Sequence, residues 1–342
     1  MPPSPTWLRR RRHLPAFVAL AATAALAVWL LTGLGGDAVV LVVDDLATFL
    51  AAAAATLACA VAARRHLGRL RRFWLLLAAG AGAFTIAEGV WGWYELVLDQ
   101  SVPVPSYADL GYLGAIPLVV AALVTHPSER HATSRALAAV DAAALATSLL
   151  FLSWIFILQP IAGAHPLTTA QGVVSIAYPF GDAVILFLLI RTLWCLDGPA
   201  RAPMAWIMFG LLAMSLSDSG YTYATMVKGY ETGGIVDIGW FVSYLGIALG
   251  GWYGARQRTS PPRARTQRTS TAALLTPYLP LFIALGVVGV RTSLGTPIDQ
   301  TSRTLAYALA GLVLLRQLIR AVGGRAFVPA PSRVDIVGGE AS

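Results

Sequence analysis

Carboxylates placed among apolar residues are the feature of this sequence that could carry chemistry. Four acids are each followed, three residues later, by an aromatic residue, and positions i and i+3 share one face of a helix. A carboxylate beside a tryptophan or tyrosine suits a cationic or amphipathic ligand, which it would attract by charge and by cation–π contact. The four pairs are Glu88–Trp91, Asp109–Tyr112, Asp218–Tyr221 and Asp237–Trp240.

A fifth acid, Asp182, has a predicted depth similar to that of Glu88 and Asp218, about 15 Å inside a helix that rises 1.5 Å per residue. An ionised carboxylate at the centre of a bilayer costs at least about 2.5–3.5 kcal/mol, so these acids should face the bundle interior or water. Apart from Arg303 at the outer end of the last predicted span, no Lys or Arg lies in the outer half of any predicted span. Either some acids are protonated or a cation lies among them. We predict one outward-facing ligand pocket formed by Glu88, Trp91, Asp109, Tyr112, Asp182, Asp218, Tyr221, Asp237 and Trp240.

Two plainer interpretations stay open. Intramembrane polar residues commonly hydrogen-bond helices to one another, and aromatic residues gather at membrane interfaces. The interfacial explanation covers Tyr112 and Trp240 better than Trp91 and Tyr221, which should lie deeper.

The elements that hold these residues follow from composition. Of the 342 residues, 57% are hydrophobic and 12% are charged, which is about half the charge of a typical soluble domain. The apolar residues form blocks of about 20, the length that an α-helix needs to cross a bilayer. We predict an all-α membrane bundle with spans at roughly 14–33, 38–62, 73–98, 107–125, 136–159, 172–195, 203–227, 234–254, 272–290 and 303–321.

The distribution of the cations predicts the topology. The chain has a net charge of +8, and nearly all its Lys and Arg lie between spans on one side. Only Lys228, Arg291 and Arg303 fall on the other side. The positive-inside rule then puts both termini in the cytoplasm of a multi-pass plasma-membrane protein. This topology accounts for the basic surplus, together with contact with membrane lipids, and nucleic acid is not a predicted partner.

An internal repeat is also predicted. The segment "ADLGY" (108–112) matches "VDIGW" (236–240), and acids recur in the same order in two groups of spans. Corresponding spans are four apart, so the two groups share one orientation. We predict a 4+4 parallel repeat of halves 14–125 and 136–254, with the helices of 272–321 appended.

Outside the membrane the sequence predicts little structure. We expect a basic cytoplasmic segment at 1–13, one transmembrane domain at 14–321 and a disordered cytoplasmic tail at 322–342. Walker, HExxH and GxSxG motifs are missing, the five histidines are scattered, and Cys59 and Cys195 read as small apolar residues. No catalytic residue, metal or cofactor is predicted.

Several motifs resemble a known membrane region. The segment "WGWYELVLDQSVPVPSYADLGYLGAIPL" (91–118) looks like the multi-helix sensory region of actinobacterial GGDEF/EAL proteins, the diguanylate cyclases and phosphodiesterases. "AYPFGD" (177–182), "SDSGYTY" (217–223) and "DIGWFVSYLGIALG" (237–250) are similar to later parts of that region in the same order, and the resemblance covers about residues 35–320.

The resemblance implies ligand sensing without catalysis. In the family the last helix leads into a catalytic domain, whereas "LLRQLIR" (314–320) begins like such a helix and is followed by "AVGG". Cyclase activity, magnesium and GTP binding are therefore not carried over. We predict a sensory or receptor-like module for a small cationic or amphipathic ligand, with a separate cytoplasmic signalling protein as a possible partner.

Two other functions stay open for the same residues. A cation- or proton-coupled transporter would use the repeat and the unpaired acids. An intramembrane enzyme would use protonated acids as general acids on a lipidic or isoprenoid substrate.

Overall fold

The computed structural model describes residues 6–127, 135–155, 159, 168–194, 196, 201–227, 229–257, 279–295 and 299–325. In these ranges the chain is helical and no strand is present. The helices are α1 (Thr6–Thr32), α2 (Asp37–Arg65), α3 (Gly68–Gly92), α4 (Ala108–Thr125), α5 (Arg135–Ser153), α6 (Thr169–Trp194), α7 (Arg201–Val227), α8 (Ile235–Ala255), α9 (Leu279–Ser293) and α10 (Gln300–Arg325).

In the described part of the chain, seven helices are long and apolar enough to cross a membrane. They are α1, α2, α3 with the π-helical turn that follows it, α4, α6, α8 and α10. The prediction of a helical multi-pass membrane protein is therefore confirmed. Spans through α5, α7 and α9 stay predictions, since α7 carries the polar run "SLSDSGYTY" and α9 has 15 described residues.

The helix ends differ from the predicted spans at several points. α1 begins at Thr6 and thus includes the basic residues that we expected to precede the first span, and α10 continues to Arg325, four residues into the predicted tail. The rest of that tail, residues 326–342, lies outside the described residues, as do residues 258–278, which include the start of the ninth predicted span.

Six helices form a closed ring. α2 packs against α3, α3 against α4, α4 against α6, α6 against α7, α7 against α8, and α8 returns to α2. We call this arrangement the six-helix ring. The main hydrophobic core runs through it, and α1 packs on its outside against α8 and α2.

The other three helices lie beside the ring. α5 packs against α6 on one side and against α9 and α10 on the other, and we call α5, α9 and α10 the three-helix layer. It has a separate small core around Phe151, Ile155 and Leu309. Of the two predicted halves, the ring thus takes three helices from each.

Small residues let the ring helices approach closely, as they commonly do in membrane bundles. Ala52, Ala55 and Cys59 make one face of α2 and are fully buried. A methyl group added to Gly246 of α8 would lie 2.7 Å from the Cα atom of Gly210 in α7, and one added to Gly251 would lie equally close to the backbone of α2. α8 therefore needs glycine on the sides that face α7 and α2.

Candidate functional site

The six-helix ring encloses a cavity of about 440 Å³, which we call the acidic cavity. Every helix of the ring contributes at least one carboxylate to its lining. All nine residues predicted for the pocket line this cavity: Glu88, Trp91, Asp109, Tyr112, Asp182, Asp218, Tyr221, Asp237 and Trp240. The structure thus brings them together, and their role in ligand binding stays a prediction.

Asp109 and Asp237 organise the beginnings of α4 and α8 in the same way. One oxygen of Asp109 accepts the backbone N–H of Ser106 at 2.6 Å, and one oxygen of Asp237 accepts the backbone N–H of Gly234 at 2.7 Å. In both cases the donor lies three residues earlier, which is the capping-box geometry of a helix N-terminus. The other oxygen of each accepts a tyrosine hydroxyl, from Tyr178 and Tyr230 respectively.

The glycine two residues after each aspartate marks a close helix contact. A methyl group at Gly111 would lie 2.8 Å from the carbonyl oxygen of Ala83 in α3, and a methyl group at Gly239 would overlap the hydroxyl of Ser217 in α7. α4 therefore lies directly against α3, and α8 lies directly against α7.

The aromatic residue three positions after each aspartate reaches an acid on the neighbouring helix. The Tyr112 hydroxyl hydrogen-bonds Glu88 of α3, and the Trp240 indole N–H donates to Asp218 of α7 at 2.7 Å. Glu88 accepts a second hydrogen bond, at 2.6 Å, from the hydroxyl of Tyr244. The sequence predicted these acids and aromatics as same-helix pairs, whereas these hydrogen bonds join different helices.

These contacts give a physical account of why "ADLGY" and "VDIGW" share a pattern. The aspartate caps the helix, the glycine allows contact with the preceding helix, and the aromatic residue donates to the acid of that helix. Tyr112 and Trp240 hence line the cavity and bind acids of the ring, and their position relative to the membrane interface stays a prediction. The other plain interpretation, helix-to-helix hydrogen bonding, holds for Asp109, Asp218 and Glu88.

The remaining acids that we describe, Asp182 and Glu95, hydrogen-bond hydroxyl or carboxyl groups. Asp182 hydrogen-bonds Ser215 of α7. Glu95, in the π-helical turn Trp93–Val97 after α3, accepts the Thr232 hydroxyl at 2.9 Å and hydrogen-bonds the carboxyl group of Asp45. An ionised carboxylate has no donor, so a hydrogen bond between two carboxyl groups requires a proton on one of them.

Asp44 and Asp45 of α2 stand apart because each has an oxygen that is buried without a hydrogen-bond partner. Asp44 is only 3% exposed. Both residues line the acidic cavity. Buried polar atoms are nearly always hydrogen-bonded in native proteins, so these two oxygens mark the least satisfied place in the cavity wall.

Four aromatic rings form a compact cluster beside the acids. Trp91, Tyr221, Tyr230 and Trp240 contact one another in every combination, with centroids 4.8–6.5 Å apart. Those are the separations of direct ring packing, so the rings leave no room for a cation between them. Burial and then the neighbouring Asp237 raise the pKa of Tyr230, which keeps its hydroxyl protonated as a donor.

Two loops cover the end of the cavity nearest the carboxylates. Tyr230 belongs to the loop between α7 and α8, and Pro103 and Val104 belong to the loop between α3 and α4. The Gln171 side chain of α6 donates to the carbonyl of Val104 at 3.2 Å. The proline-rich loop is thus attached to α6, the next helix of the ring after α4.

Within the described residues, no group of three or more His, Cys, Asp or Glu side chains is arranged to hold a metal ion. Comparison with known proteins adds no assignment. No protein family, curated protein or solved structure matches this chain. The acidic cavity must accordingly be interpreted from its own chemistry.

Sequence reasoning missed three tyrosines that donate to the acids. Tyr244 lies four residues after Trp240 on one helix face and Tyr178 lies four residues before Asp182, so the same i, i+4 spacing could have indicated both. Tyr230 lies in a loop, where no periodic signal exists.

The three-helix layer contains a different polar arrangement. Asp141 of α5 forms an ion pair with Arg316 of α10, and both side chains are largely buried. The Trp154 indole donates to Asp299 at 3.0 Å, and Arg291 donates to Gln159 at 2.6 Å. Although burial alone would raise the pKa of Asp299, hydrogen bonds from Ser302 and Trp154 lower it.

Proposed function

We propose that the chain is a receptor-like sensory module of the plasma membrane that binds a small ligand in the acidic cavity. The observation that carries this proposal is that acids and aromatic side chains from six helices line one cavity of about 440 Å³. Sites for small molecules commonly have volumes of about 300–1,000 Å³ and combine an apolar lining with a few polar groups. The cavity has this size and this composition.

The way in which the carboxylates are held favours binding over catalysis. Phenol, indole, hydroxyl and backbone N–H groups fix the acids without bringing an opposite charge to them. Among the described residues that line the cavity there is no His, Cys, Lys or Arg. The imidazole, thiol and amine groups that activate or act as nucleophiles in many covalent mechanisms are therefore missing from this lining, which offers hydroxyl and carboxyl groups.

A sensory role is supported by the resemblance to the membrane region of GGDEF/EAL proteins. The quoted motifs contribute Glu95, Asp109, Tyr178 and Trp240, which all take part in the hydrogen bonds of the site. The output would come from a separate cytoplasmic signalling protein that contacts the inner side of the bundle.

For the topology, we propose ten spans, cytoplasmic termini and a 4+4 parallel repeat. The repeat is supported by the equal arrangement of cap, close contact and aromatic donor at Asp109 and at Asp237. Reporter fusions after Ser260 and after Ser293 should indicate inside and outside respectively. The same compartment for both would contradict the topology.

The ligand-binding function can be tested with the purified full chain in lipid nanodiscs. We expect some members of a panel of small cationic and amphipathic compounds to raise its melting temperature. Asp218→Asn should weaken that stabilisation, because the mutation removes a charge of the cavity while it keeps an acceptor for Trp240. Asp37→Asn, at an exposed position of α2, is the matched control. A panel without any stabilising compound would count against the proposal.

Cation-coupled transport is the second candidate, and the hydrogen bond between the carboxyl groups of Asp45 and Glu95 favours it, since such a pair can exchange a proton. A compound that stabilises the protein should then accumulate in proteoliposomes when a proton gradient is applied. We expect no accumulation for a receptor, and accumulation that depends on Glu95 would decide for transport.

A further inference from the structure

The donors in the acidic cavity are unevenly distributed. Glu88 accepts from two tyrosines, and Asp237 accepts from one tyrosine and two backbone N–H groups. Asp44 Oδ1 and Asp45 Oδ2 are buried and accept nothing. A buried oxygen without a donor is costly, so a ligand that brings donors to this place would gain the most there.

The surroundings of Asp44 add to its negative potential. Its carboxyl group interacts electrostatically with those of Asp237, Asp45, Glu88 and Glu95. In the described lining of the cavity no Lys or Arg balances these charges. The missing donor should therefore carry a positive charge.

A desolvated metal ion fits this place poorly. Calcium and magnesium require about six or more oxygen ligands at roughly 2.0–2.6 Å, and in the described part of the chain no three acidic or other ligating side chains meet in such a way. An ammonium group instead has three N–H donors and makes longer hydrogen bonds. Its separate N–H groups can donate to more than one acceptor, and Asp44 and Asp45 each have an oxygen without a partner.

The cavity on the inner side of Glu88, Asp109 and Asp218 is mostly apolar. Phe84 precedes Glu88 by one turn of α3, Leu211 and Met214 precede Asp218 in α7, and Ile116 follows Tyr112 in α4. α3 and α7 run towards the acidic end and α4 runs away from it, so these side chains lie deeper than those three acids. Asp182 is the one cavity acid at their level, where it hydrogen-bonds Ser215. One end of the cavity thus suits a charge, and the other end suits a hydrocarbon group.

We infer that Asp44 and Asp45 receive the ammonium group of a protonated organic amine whose apolar part lies among Phe84, Ile116 and Leu211. This inference rests on the proposed function, because it requires that the cavity binds a ligand. It differs from the sequence-based expectation, in which Trp91, Tyr221 and Trp240 would have recognised the charge. Those rings pack against one another, so we assign the binding of the positive charge to Asp44 and Asp45 of α2.

The test compares amines with neutral compounds of the same shape. Binding of 2-phenylethylamine and n-octylamine to the full chain in nanodiscs is measured against 2-phenylethanol and n-octanol, with empty nanodiscs to correct for partition into lipid. We expect the amines to bind at least about tenfold more tightly than the alcohols, since hydrogen bonds to charged groups are the stronger ones. Asp44→Asn should abolish that preference, and Asp37→Asn should leave it unchanged.

The outcomes separate this inference from the proposed function. If amines and alcohols bind equally well to the wild type, or if Asp44→Asn keeps the preference, the ammonium site is wrong while the cavity still binds ligands. If sodium chloride stabilises the protein and the amines do not, a metal ion takes the place of the ammonium group. If no compound of any class binds, both proposals fail.

A folding defect of one variant would not obscure the result. Asp44→Glu keeps the charge and should keep the preference for amines, whereas Asp45→Asn should reduce it. Two results together would overturn the inference: Asp45→Asn folds and binds amines like the wild type, and Asp44→Glu loses binding. They would indicate that binding depends on the size of the side chains on α2 and not on their charge.

Discussion

Asp141 and Glu88 are both acids on helices of one bundle, and they have opposite kinds of partner. Asp141 of the three-helix layer is paired with the buried guanidinium group of Arg316. Glu88 of the six-helix ring accepts hydrogen bonds from the neutral hydroxyls of Tyr244 and Tyr112. Around Glu88 the described lining of the cavity contains acids and no Lys or Arg.

The two kinds of partner leave the two acids unequally available to a ligand. An ion pair cancels the field of its members and fixes two helices to one another, and removal of one partner leaves an uncompensated charge. Neutral donors satisfy the oxygens of an acid and leave its charge in place. No ion pair therefore neutralises the described acids of the ring, while the layer uses its acid for assembly.

The two regions also differ in their backbone packing. Ring glycines such as Gly210, Gly246 and Gly254 lie against a neighbouring helix, whereas Gly286 of α9 and Gly311 of α10 have open space where a side chain would be. Between α5, α9 and α10 an apolar cavity of about 320 Å³ remains. At these glycines the backbones of the ring helices are thus more closely packed than those of α9 and α10.

The largest effect should come from Arg316→Met. The change leaves Asp141 buried without its counter-charge, which typically costs about 3–5 kcal/mol. We expect a large fall of the unfolding midpoint in detergent, followed on a titration with denaturant.

Two variants sharpen this prediction. Arg320→Met removes an exposed charge from the same helix and should have little effect. The double variant Arg316→Met/Asp141→Leu replaces the pair by apolar groups and should recover most of the lost stability. A double variant as unstable as the single one would show that the arginine acts through other contacts.

The helices could be predicted from the sequence, but the partner of Arg316 could not. The apolar blocks predicted every described helix, because the length of a span and the burial of apolar residues are local properties. The pairing of Asp141 with Arg316 joins positions 175 residues apart, and nothing local to either residue indicates it. Tyr230 is a similar case, since a loop has no periodicity that could place its ring.

The pocket residues were predictable for a different reason. In a membrane an acid must avoid lipid, so the acids of six helices could be expected to meet in the interior. Their partners could not be predicted, because i and i+3 spacing describes one helix and the donors come from the next one. Asp44 and Asp45 were visible as acids in the sequence, but only the structure distinguishes their unsatisfied oxygens from the satisfied ones of Asp237.

The stability of the protein should depend on pH through His126, which lies at the end of α4 opposite to Asp109. Burial and then the nearby Arg69 lower the pKa of His126, which follows α4, from 6.5 to about 4. The folded state therefore binds this proton less tightly than the unfolded state. Its stabilisation is present above pH 6.5 and is lost as the pH falls towards 4, by about 3 kcal/mol in total.

His126→Gln removes this titration. The fall of the melting temperature between pH 7 and pH 4 should accordingly be shallower for the variant than for the wild type. His13→Gln, at an exposed position of α1, is the control. Parallel pH profiles for the wild type and His126→Gln would contradict the assignment.

Glycine substitutions compare the packing of the two regions directly. Gly246→Ala places a methyl group 2.7 Å from the Cα atom of Gly210 and should cost about 1–3 kcal/mol through overpacking. Gly286→Ala meets nothing within 4 Å and should be neutral or stabilising, since alanine is favoured over glycine in a helix by about 1 kcal/mol. Equal effects in thermal unfolding would mean that the ring is no more closely packed than the layer.

The smallest effect should come from Glu88→Gln. Glutamine keeps a carbonyl oxygen that can accept from Tyr244, and no cation in the described lining loses its partner, so we expect a change within about 1 kcal/mol. Asp141→Asn makes the same chemical change in the three-helix layer and removes the carboxylate charge that pairs with the buried Arg316, so it should be clearly more destabilising. Unfolding of both variants in the same detergent provides the comparison. If Glu88→Gln is as destabilising as Asp141→Asn, then Glu88 is an ionised structural partner of a cation outside the described residues, and the charge of the cavity is not free to recognise a ligand.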